Sequence, residues 1–191
     1  DVLLFKRTRA SKKETLGLSL TGAGLGLCLA DTSAVRPRLA HCQFIPGPLD
    51  LAQALAEYAR AHELKGVPCH VALSGEDYKL LPAEAPDVPE AEIDQALLWG
   101  LRDLLDAPPA DTVLVSFPFA TGLQRPGKRM RHAVAARKSR ILAIAEAVNG
   151  AGLAIEFVDI AELALRTVLA GLPEEEQGVA IVVQGPRGAF V

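Results

Sequence analysis

Residues 16–31, LGLSLTGAGLGLCLAD, place two apolar runs on either side of a glycine-rich turn. The runs predict strands over Leu16–Leu20 and Leu25–Ala30, and further turn residues precede a third expected strand at about Arg38–Phe44. The glycines leave two interpretations open: they close a tight hairpin, or they let a phosphate approach the backbone, since glycine reaches positive φ at low cost. The choice separates a structural hairpin from a nucleotide site.

Helical and strand patterns alternate after this meander. An amphipathic spacing predicts a helix from about Leu49 to Leu64, ended by Gly66. A second helix is predicted from Pro89 to about Leu105, with acidic residues in its first turn. The other predicted strands are 67–74, Tyr78–Ala83, Thr112–Phe117, Met130–Ala136, Leu153–Val158 and Val179–Val183, and the other helices are Lys138–Asn149 and Ile160–Leu169. Helices that alternate with apolar strands imply a largely buried mixed sheet.

Composition narrows the class of protein. With 191 residues, half of them hydrophobic, the chain is long enough to bury a core. A net charge of -3 argues against a general nucleic-acid or membrane-surface protein. The three cysteines, Cys28, Cys42 and Cys69, form an odd set without a C-x-x-C pair. They predict a reducing compartment, hence a cytoplasmic location, and no disulfide framework.

The apolar runs have the length of strands, so we expect no segment that spans a bilayer, and no signal peptide is apparent. The chain starts at Asp1 and stops at GAFV, directly after a strand-like segment. We therefore expect it to be part of a longer protein, with any membrane anchor outside this chain.

Three stretches resemble the type IV pilus assembly protein PilM and its relatives. They are the hairpin at 15–31, the acidic-start helix and following strand within DYKLLPAEAPDVPEAEIDQALLWGLRDLLDAPPADTVLVSFPF, and HAVAARKSRILAIAEAVNGAGLAIEFVDIAELALRTVL. Among these relatives the MSHA pilus biogenesis proteins (MshI) are the most similar, followed by the cytoplasmic domain of GspL from type II secretion.

The resemblance implies an α/β fold of the actin-like, or ribonuclease-H-like, class: a mixed sheet with helices on both faces and a small α-β-β insertion. The expected organisation is a basic segment at 1–14, a core lobe made of 15–76 and 137–178, and an inserted subdomain at 77–136. Residues 179–191 are expected to start a second lobe or to form a C-terminal hairpin.

The resemblance also implies a function. We expect a non-enzymatic cytoplasmic scaffold, peripheral to the bacterial inner membrane, in the assembly platform of an MSHA-type pilus or a type II secretion system. Its expected partners are a bitopic PilN-like inner-membrane protein and the assembly motor ATPase, with a homodimer possible and no nucleic acid. Binding would use a groove or an edge strand.

The alternative is a PilM-like ATP-binding protein, in which Ser19, Thr21, Gly22 and Gly24 hold the phosphates. In ATP-binding members of the class the first hairpin reads approximately D-x-G-S/T, and the aspartate position falls here on Ser19. A neutral serine cannot replace a carboxylate in organising Mg²⁺. The second phosphate turn likewise carries Gln184 rather than an acidic residue. We therefore expect no cofactor, and neither ATP nor Mg²⁺ in particular; an actin-like kinase would also need a catalytic aspartate that the sequence does not locate.

Several polar residues suggest other sites. A run of basic residues, Arg125, Lys128, Arg129, Arg131, Arg137, Lys138 and Arg140, could form a docking face for an acidic partner or anionic lipid headgroups. We select Arg129 and Arg131, with Lys12 and Lys13 of the N-terminal segment, as candidate partner-binding residues.

The remaining candidates have structural interpretations. The pairs His41-Cys42 and Cys69-His70 do not predict a metal site, because adjacent strand residues point to opposite faces. Asp159 is expected to cap the helix that follows it, and Trp99 is expected to pack in the core.

Overall fold

A computed structural model describes residues 14–34, 37–120, 128–170, 179–185 and 188–190. The chain divides into two compact units: residues 1–74 with 147–191 form the first unit, and residues 75–146 form the second. The predicted inserted segment 77–136 falls within the second unit.

The elements follow the predicted alternation. In chain order they are β1 (Glu14–Thr21), β2 (Gly24–Asp31), β3 (Arg38–Pro46), α1 (Leu51–Ala61), β4 (Pro68–Leu73), β5 (Tyr78–Glu84), α2 (Ile93–Gly100), β6 (Thr112–Pro118), β7 (Met130–Arg137), α3 (Lys138–Gly150), β8 (Ala154–Ile160), α4 (Ala161–Leu169), β9 (Val183–Gly185) and β10 (Gly188–Phe190). Most bounds agree with the prediction to within three residues. The predicted α/β class, with a mixed sheet and helices, is confirmed.

The first unit is built on a five-stranded sheet in the order β3-β2-β1-β4-β8. The meander β1-β2-β3 is antiparallel, whereas β4 runs parallel to β1 and β8 runs parallel to β4. The carboxyl ends of β1, β4 and β8 therefore lie side by side at one edge of the sheet.

The two faces of this sheet differ in side-chain size. Six alternate leucines of β1 and β2 are buried on one face: Leu16, Leu18, Leu20, Leu25, Leu27 and Leu29. Burying each contributes roughly 1.5–3 kcal/mol. Helix α1 buries Leu55 and Tyr58, and the Tyr58 hydroxyl lies 2.9 Å from Nδ1 of His41, the cross-strand neighbour of Leu29. The opposite face, which we call the open face, carries the small residues between the leucines.

The glycine turn between β1 and β2 is a tight hairpin with Thr21 directly opposite Gly24. Gly24 has a φ of +150°, and a Cβ there would lie 2.2 Å from the carbonyl oxygen of Ile45 in β3. The main chain after β3 closes over the same turn, because the Gly47 amide donates to the carbonyl of Ala23 at 2.8 Å. Gly24 is therefore required for the approach of β3 to the hairpin.

The second unit packs α2 on a three-stranded antiparallel sheet in the order β5-β7-β6. Its core joins Ile93 and Leu97 of α2 to Leu114 of β6, with Ala133 and Ala135 of β7. The carboxylate of Asp111 accepts hydrogen bonds from the amide and hydroxyl of Ser139, which satisfies the first turn of α3.

The second predicted helix is shorter in the structure. The second helix ends at Gly100, and short 3₁₀ turns occupy Glu90–Glu92 before it and Arg102–Leu104 after it. Trp99 is 53% exposed, so its predicted core packing is wrong. Ile93 and Leu97, four residues apart, form the buried side of α2, and Trp99 lies two residues further, about 200° around the helix.

The predicted strand Val179–Val183 is displaced in the structure. Residues 179–182 lie outside any strand, and β9 begins only at Val183. It pairs antiparallel with β10 as a separate two-stranded sheet.

Candidate functional site

The open face of the first unit contains a cavity of about 900 Å³. Residues from all five strands line it, together with Ala164 and Thr167 of α4. This volume lies in the range of small-molecule and cofactor sites.

Small residues form the floor of the cavity. Gly17 and Ser19 of β1 lie beside Gly26 of β2 and Ala72 of β4. A Cβ on Gly26 would lie 3.6 Å from the Ser19 Cβ, and one on Gly17 would lie 3.6 Å from the carbonyl oxygen of Cys28. Both are ordinary contact distances, so the missing side chains leave space above the sheet and do not relieve a clash.

Two phenylalanines stand on the outer strands of the sheet. Phe44 of β3 is 54% exposed and Phe157 of β8 is 60% exposed, and both line the cavity. Phe157 makes an edge-on contact with the ring of His70, with ring centres 4.8 Å apart. Nε2 of His70 lies 3.3 Å from the carboxylate of Glu156. The arrangement is a small-residue floor between two exposed aromatic rings, which suits an apolar ligand.

The cysteines of β2 and β3 lie at the same side of the cavity as Phe44. Cys28 is directly opposite Cys42 in the strand register, and their sulfur atoms lie 2.6 Å apart. Burial, followed by the hydrogen bond and charge interaction with Cys42, raises the pKa of Cys28 to about 11.

Ser19 and Asp159 lie in one row near the carboxyl ends of the parallel strands. Ala72 is the register partner of both, so the row runs Ser19, Ala72, Asp159 across β1, β4 and β8. Oδ1 of Asp159 accepts a hydrogen bond from the amide of Ile160 at 2.8 Å. Asp159 does not cap α4, because the residue at that helix's N-cap position is Ile160 and has no side-chain cap. The predicted capping role is wrong.

The other candidate phosphate-binding residues lie in the hairpin. The Thr21 hydroxyl donates to the carbonyl of Gly24 at 3.1 Å and lies 3.3 Å from the amide of Ala23. Gly22 occupies the turn, and Gly24 is buried against β3. Ser19 lines the cavity, whereas the other three candidates lie outside its lining. Gln184 and Gly185 of the second glycine turn lie in β9.

The residues around the cavity do not fit a magnesium–triphosphate group. Asp159 is the carboxylate of the lining, and among the described residues that line it there is neither lysine nor arginine. Asp159 meets the need of phosphate-bound Mg²⁺ for one carboxylate, but the phosphates themselves need cations or several free amides. The donor of Thr21 is already used within the turn.

The candidate basic residues have internal partners where the structure describes them. Arg131 is 9% exposed, so its predicted surface position is wrong; its guanidinium bonds to Ser116 and Glu90. Arg129 is exposed and donates to the carbonyl of Pro86 at 3.2 Å. Lys12 and Lys13 lie outside the described residues. Partner binding by Arg129, Lys12 or Lys13 stays a prediction.

The neighbouring basic residues also pair within the second unit. Lys128 contacts Glu84, Arg140 contacts Asp77 at 2.9 Å, and Arg137 donates to the carbonyl of Asp106. The two ion pairs offset part of the charge that the basic run displays in the sequence, whereas Arg137 binds a neutral carbonyl.

The two His-Cys pairs are split between the faces of the first sheet. Cys69 is fully buried beside Leu16, while His70 lines the cavity. His41 contacts Tyr58, whereas Cys42 lies on the open face. The described part of the chain contains no group of three His, Cys, Asp or Glu side chains placed to hold a metal ion.

Sequence reasoning missed Phe44, Phe157 and the cavity position of Asp159. The alternation of leucine with glycine and serine in residues 16–29 was the available signal, since it predicts one smooth face on β1 and β2.

No protein-family model matches the chain, and no curated protein sequence matches it. Solved structures do. A chain of the "PilM-PilN type IV pilus biogenesis complex" aligns with a TM-score of 0.66 and 25% identity, over 84% of this chain and 52% of that chain. The chain thus spans about half the length of that protein.

Two further structures are similar. The cytoplasmic domain of EpsL, an inner-membrane component of the type II secretion system of Vibrio cholerae, aligns with a TM-score of 0.60 and 16% identity, over 76% of this chain and 57% of that chain. A Bacteroides thetaiotaomicron protein, described as having an actin-like ATPase fold and unknown function, aligns with a TM-score of 0.45 and 12% identity, over 84% of this chain and 57% of that chain. The fold is therefore shared with that chain of the PilM-PilN complex and with the cytoplasmic domain of EpsL.

None of the helices in the described ranges is both long enough and apolar enough to cross a membrane.

Proposed function

We propose that this chain is a cytoplasmic component of a type IV pilus or type II secretion assembly platform, where it holds a segment of a PilN-like membrane protein. The similarity to a chain of the PilM-PilN complex, over 84% of this chain, is the observation that carries the proposal. The fold shared with the EpsL cytoplasmic domain supports the same class of machinery.

The cavity on the open face supports a binding role without catalysis. Its floor of Gly17, Ser19, Gly26 and Ala72 is smooth, and the exposed rings of Phe44 and Phe157 offer apolar area on either side. An apolar segment would bury both rings, and exposed apolar patches of this kind mark interaction sites. We assign the PilN-like segment to this cavity.

The scaffold role carries three finer expectations. Membership of the MSHA-type (MshI) branch, contact with the assembly motor ATPase and formation of a homodimer stay predictions. The absence of enzymatic activity also stays a prediction; the poor fit of the cavity to magnesium and triphosphate supports it.

Filling the floor of the cavity tests the assignment. We would measure binding of a fluorescent peptide from the cytoplasmic segment of the PilN-like protein of the same genome, using anisotropy. Gly26→Val adds an isopropyl group above the floor, with its Cβ at an ordinary contact distance from Ser19, and valine is favoured in strands. We expect affinity to fall at least about tenfold, which corresponds to 1.4 kcal/mol.

Gly75→Val is the matched control, because a Cβ on Gly75 would meet nothing within 4 Å and the residue lies outside the cavity lining. It should bind the peptide as the wild type does. Equal affinity in wild type and Gly26→Val, with both folded, would reject the cavity as the binding site, and no binding of the peptide or of the full PilN-like protein would reject the partner.

Calorimetric titration with Mg·ATP and Mg·ADP separates the scaffold from the nucleotide-binding alternative. Both this chain and the full-length protein should be titrated, since the chain spans about half of the PilM-type relative. We expect no heat of binding. Micromolar binding that is lost in Asp159→Asn would instead favour the PilM-like ATP-binding protein, with Asp159 supplying the carboxylate that Ser19 lacks.

A further inference from the structure

We propose that Cys28 and Cys42 are a redox modification site, in which a low-molecular-weight disulfide converts the two thiols to a cross-strand disulfide. The inference stands on the strand geometry and does not depend on the proposed function. We call these two residues the thiol pair.

The strand register brings the thiol pair together. Cys28 of β2 and Cys42 of β3 are direct cross-strand partners, and their sulfur atoms lie 2.6 Å apart. Directly opposed residues of antiparallel strands have Cα atoms about 4.5–5.5 Å apart. Disulfides need a Cα separation of about 4.4–6.8 Å. The bond can therefore form without movement of the main chain.

The two thiols differ in access, which sets their order of reaction. Cys42 is exposed on the edge strand β3, and Cys28 is half-buried. The exposed Cys42 thiol meets the oxidant first, and Cys28 then resolves the intermediate. Because burial raises the pKa of Cys28, the second step is slow at neutral pH and accelerates as the pH rises.

The third cysteine is excluded from the pair. Cys69 lies fully buried beside Leu16, on the face opposite the thiol pair, and burial raises its pKa to about 12. Exchange with Cys69 would require the sheet to open. The folded chain therefore offers one pairing of its three cysteines.

The reaction balances as two thiol–disulfide exchanges. The Cys42 thiolate attacks one sulfur of the small disulfide, forms a mixed disulfide and releases the first small thiolate, which takes up the proton lost by Cys42. The Cys28 thiolate then attacks the Cys42 sulfur and expels the second small thiolate, which takes up the proton lost by Cys28. The protein loses two hydrogens, and one small disulfide becomes two thiols. An excess of small thiol reverses both steps.

Oxidation would change the wall of the cavity. Cys42 and Phe44 are two residues apart in β3 and lie on the same face, and both thiols line the cavity. The bond ties the edge strand that carries Phe44 to β2. The thiol pair thus places a reversible covalent link beside one of the two exposed aromatic rings.

Mass spectrometry of the oxidised full chain tests the site. The reduced protein is incubated with oxidised glutathione at low protein concentration, free thiols are alkylated in denaturant, and the chain is digested with trypsin. Cleavage after Arg38 separates the cysteines, so the bond would link peptides 14–38 and 39–60, while Cys69 appears alkylated in peptide 66–79. Before alkylation, we expect the intact mass to be lower by about 2 Da and to return to its original value on addition of reduced glutathione.

Single substitutions decide the assignment. Cys69→Ala should lose the same two hydrogens as the wild type, whereas Cys42→Ser, at an exposed position, should fold and lose none. A stable glutathione adduct on wild-type Cys42 without the linked peptides would overturn the proposal, as would a linkage to Cys69, a disulfide between two chains, or no oxidation at all.

Discussion

The guanidinium of Arg131 donates two hydrogen bonds to Ser116, one to the hydroxyl at 2.9 Å and one to the main-chain carbonyl at 3.0 Å. The same hydroxyl donates to Oδ1 of Asp94 at 2.6 Å, and a third guanidinium nitrogen reaches Glu90 at 2.8 Å. One network centred on the buried Arg131 and Ser116 therefore joins β6 and β7 to α2 and to the turn before it. A residue of the basic sequence run thus has a structural role.

Arg131→Met should destabilise the second unit. The substitution leaves the hydroxyl and carbonyl oxygens of Ser116 without their charged donor. We expect the free energy of unfolding to fall by roughly 2–4 kcal/mol. Urea unfolding followed by circular dichroism measures it. Arg129→Met is the control, since Arg129 is exposed and lies 3.9 Å from Asp87; its effect should stay within about 0.5 kcal/mol. Equal effects of the two substitutions would contradict the network's role.

Gly24→Ala should be more costly than an ordinary glycine substitution. The added Cβ would lie 2.2 Å from the carbonyl oxygen of Ile45, at a φ that side chains rarely adopt. We expect a loss of about 3 kcal/mol or more, or an insoluble protein. Gly100→Ala, whose Cβ meets nothing within 4 Å, should leave stability within about 1 kcal/mol of the wild type. A folded Gly24→Ala protein of wild-type stability would show that the hairpin has room for a side chain.

Local patterns explain why much of the fold was predictable. The period of two in residues 16–29 identifies β1 and β2, and the acidic start after Pro89 identifies the region of α2. These signals lie within one element and do not depend on distant residues. The role of the glycines in residues 22–26 was predictable only in part. Turn chemistry predicts the hairpin, whereas the need for a glycine at position 24 comes from its close contact with β3.

The candidate site depended on pairings between distant residues. His70 and Phe157 meet because β4 pairs with β8, and nothing local to either strand specifies that partner. Arg131 shows a different limit of prediction from the sequence. Alternation places it on one face of β7 with Ala133, but both faces of that strand carry apolar residues, so the sequence does not reveal which face α2 covers.

His132 should make the stability of the second unit depend on pH. Its ring stacks on Phe119, with ring centres 4.0 Å apart, and lies 5.1 Å from that of Phe117. Burial lowers the pKa of His132, so below the ordinary value of about 6.5 the unfolded chain binds more protons than the folded one. Stability is therefore complete above that pH and is lost as the pH falls toward the folded pKa.

His132→Phe keeps a stacked ring and removes the titrating group. Thermal unfolding between about pH 5 and pH 8 should show a shallower loss of melting temperature at the acid end in this variant than in the wild type. Identical pH profiles for the two proteins would mean that other groups account for the acid sensitivity.

The exposure of Trp99 gives the last prediction. Trp99 lies on the opposite side of α2 from Leu97, which is 5% exposed in the core of the second unit. Trp99→Ala should change the free energy of unfolding by less than about 1 kcal/mol, whereas Leu97→Ala should lower it by roughly 2–4 kcal/mol through the cavity it leaves. Because Trp99 is the single tryptophan of the chain, its fluorescence gives an independent measure of its exposure to water. The folded protein should emit close to free tryptophan in water; a strongly blue-shifted spectrum would instead place the indole in an apolar environment.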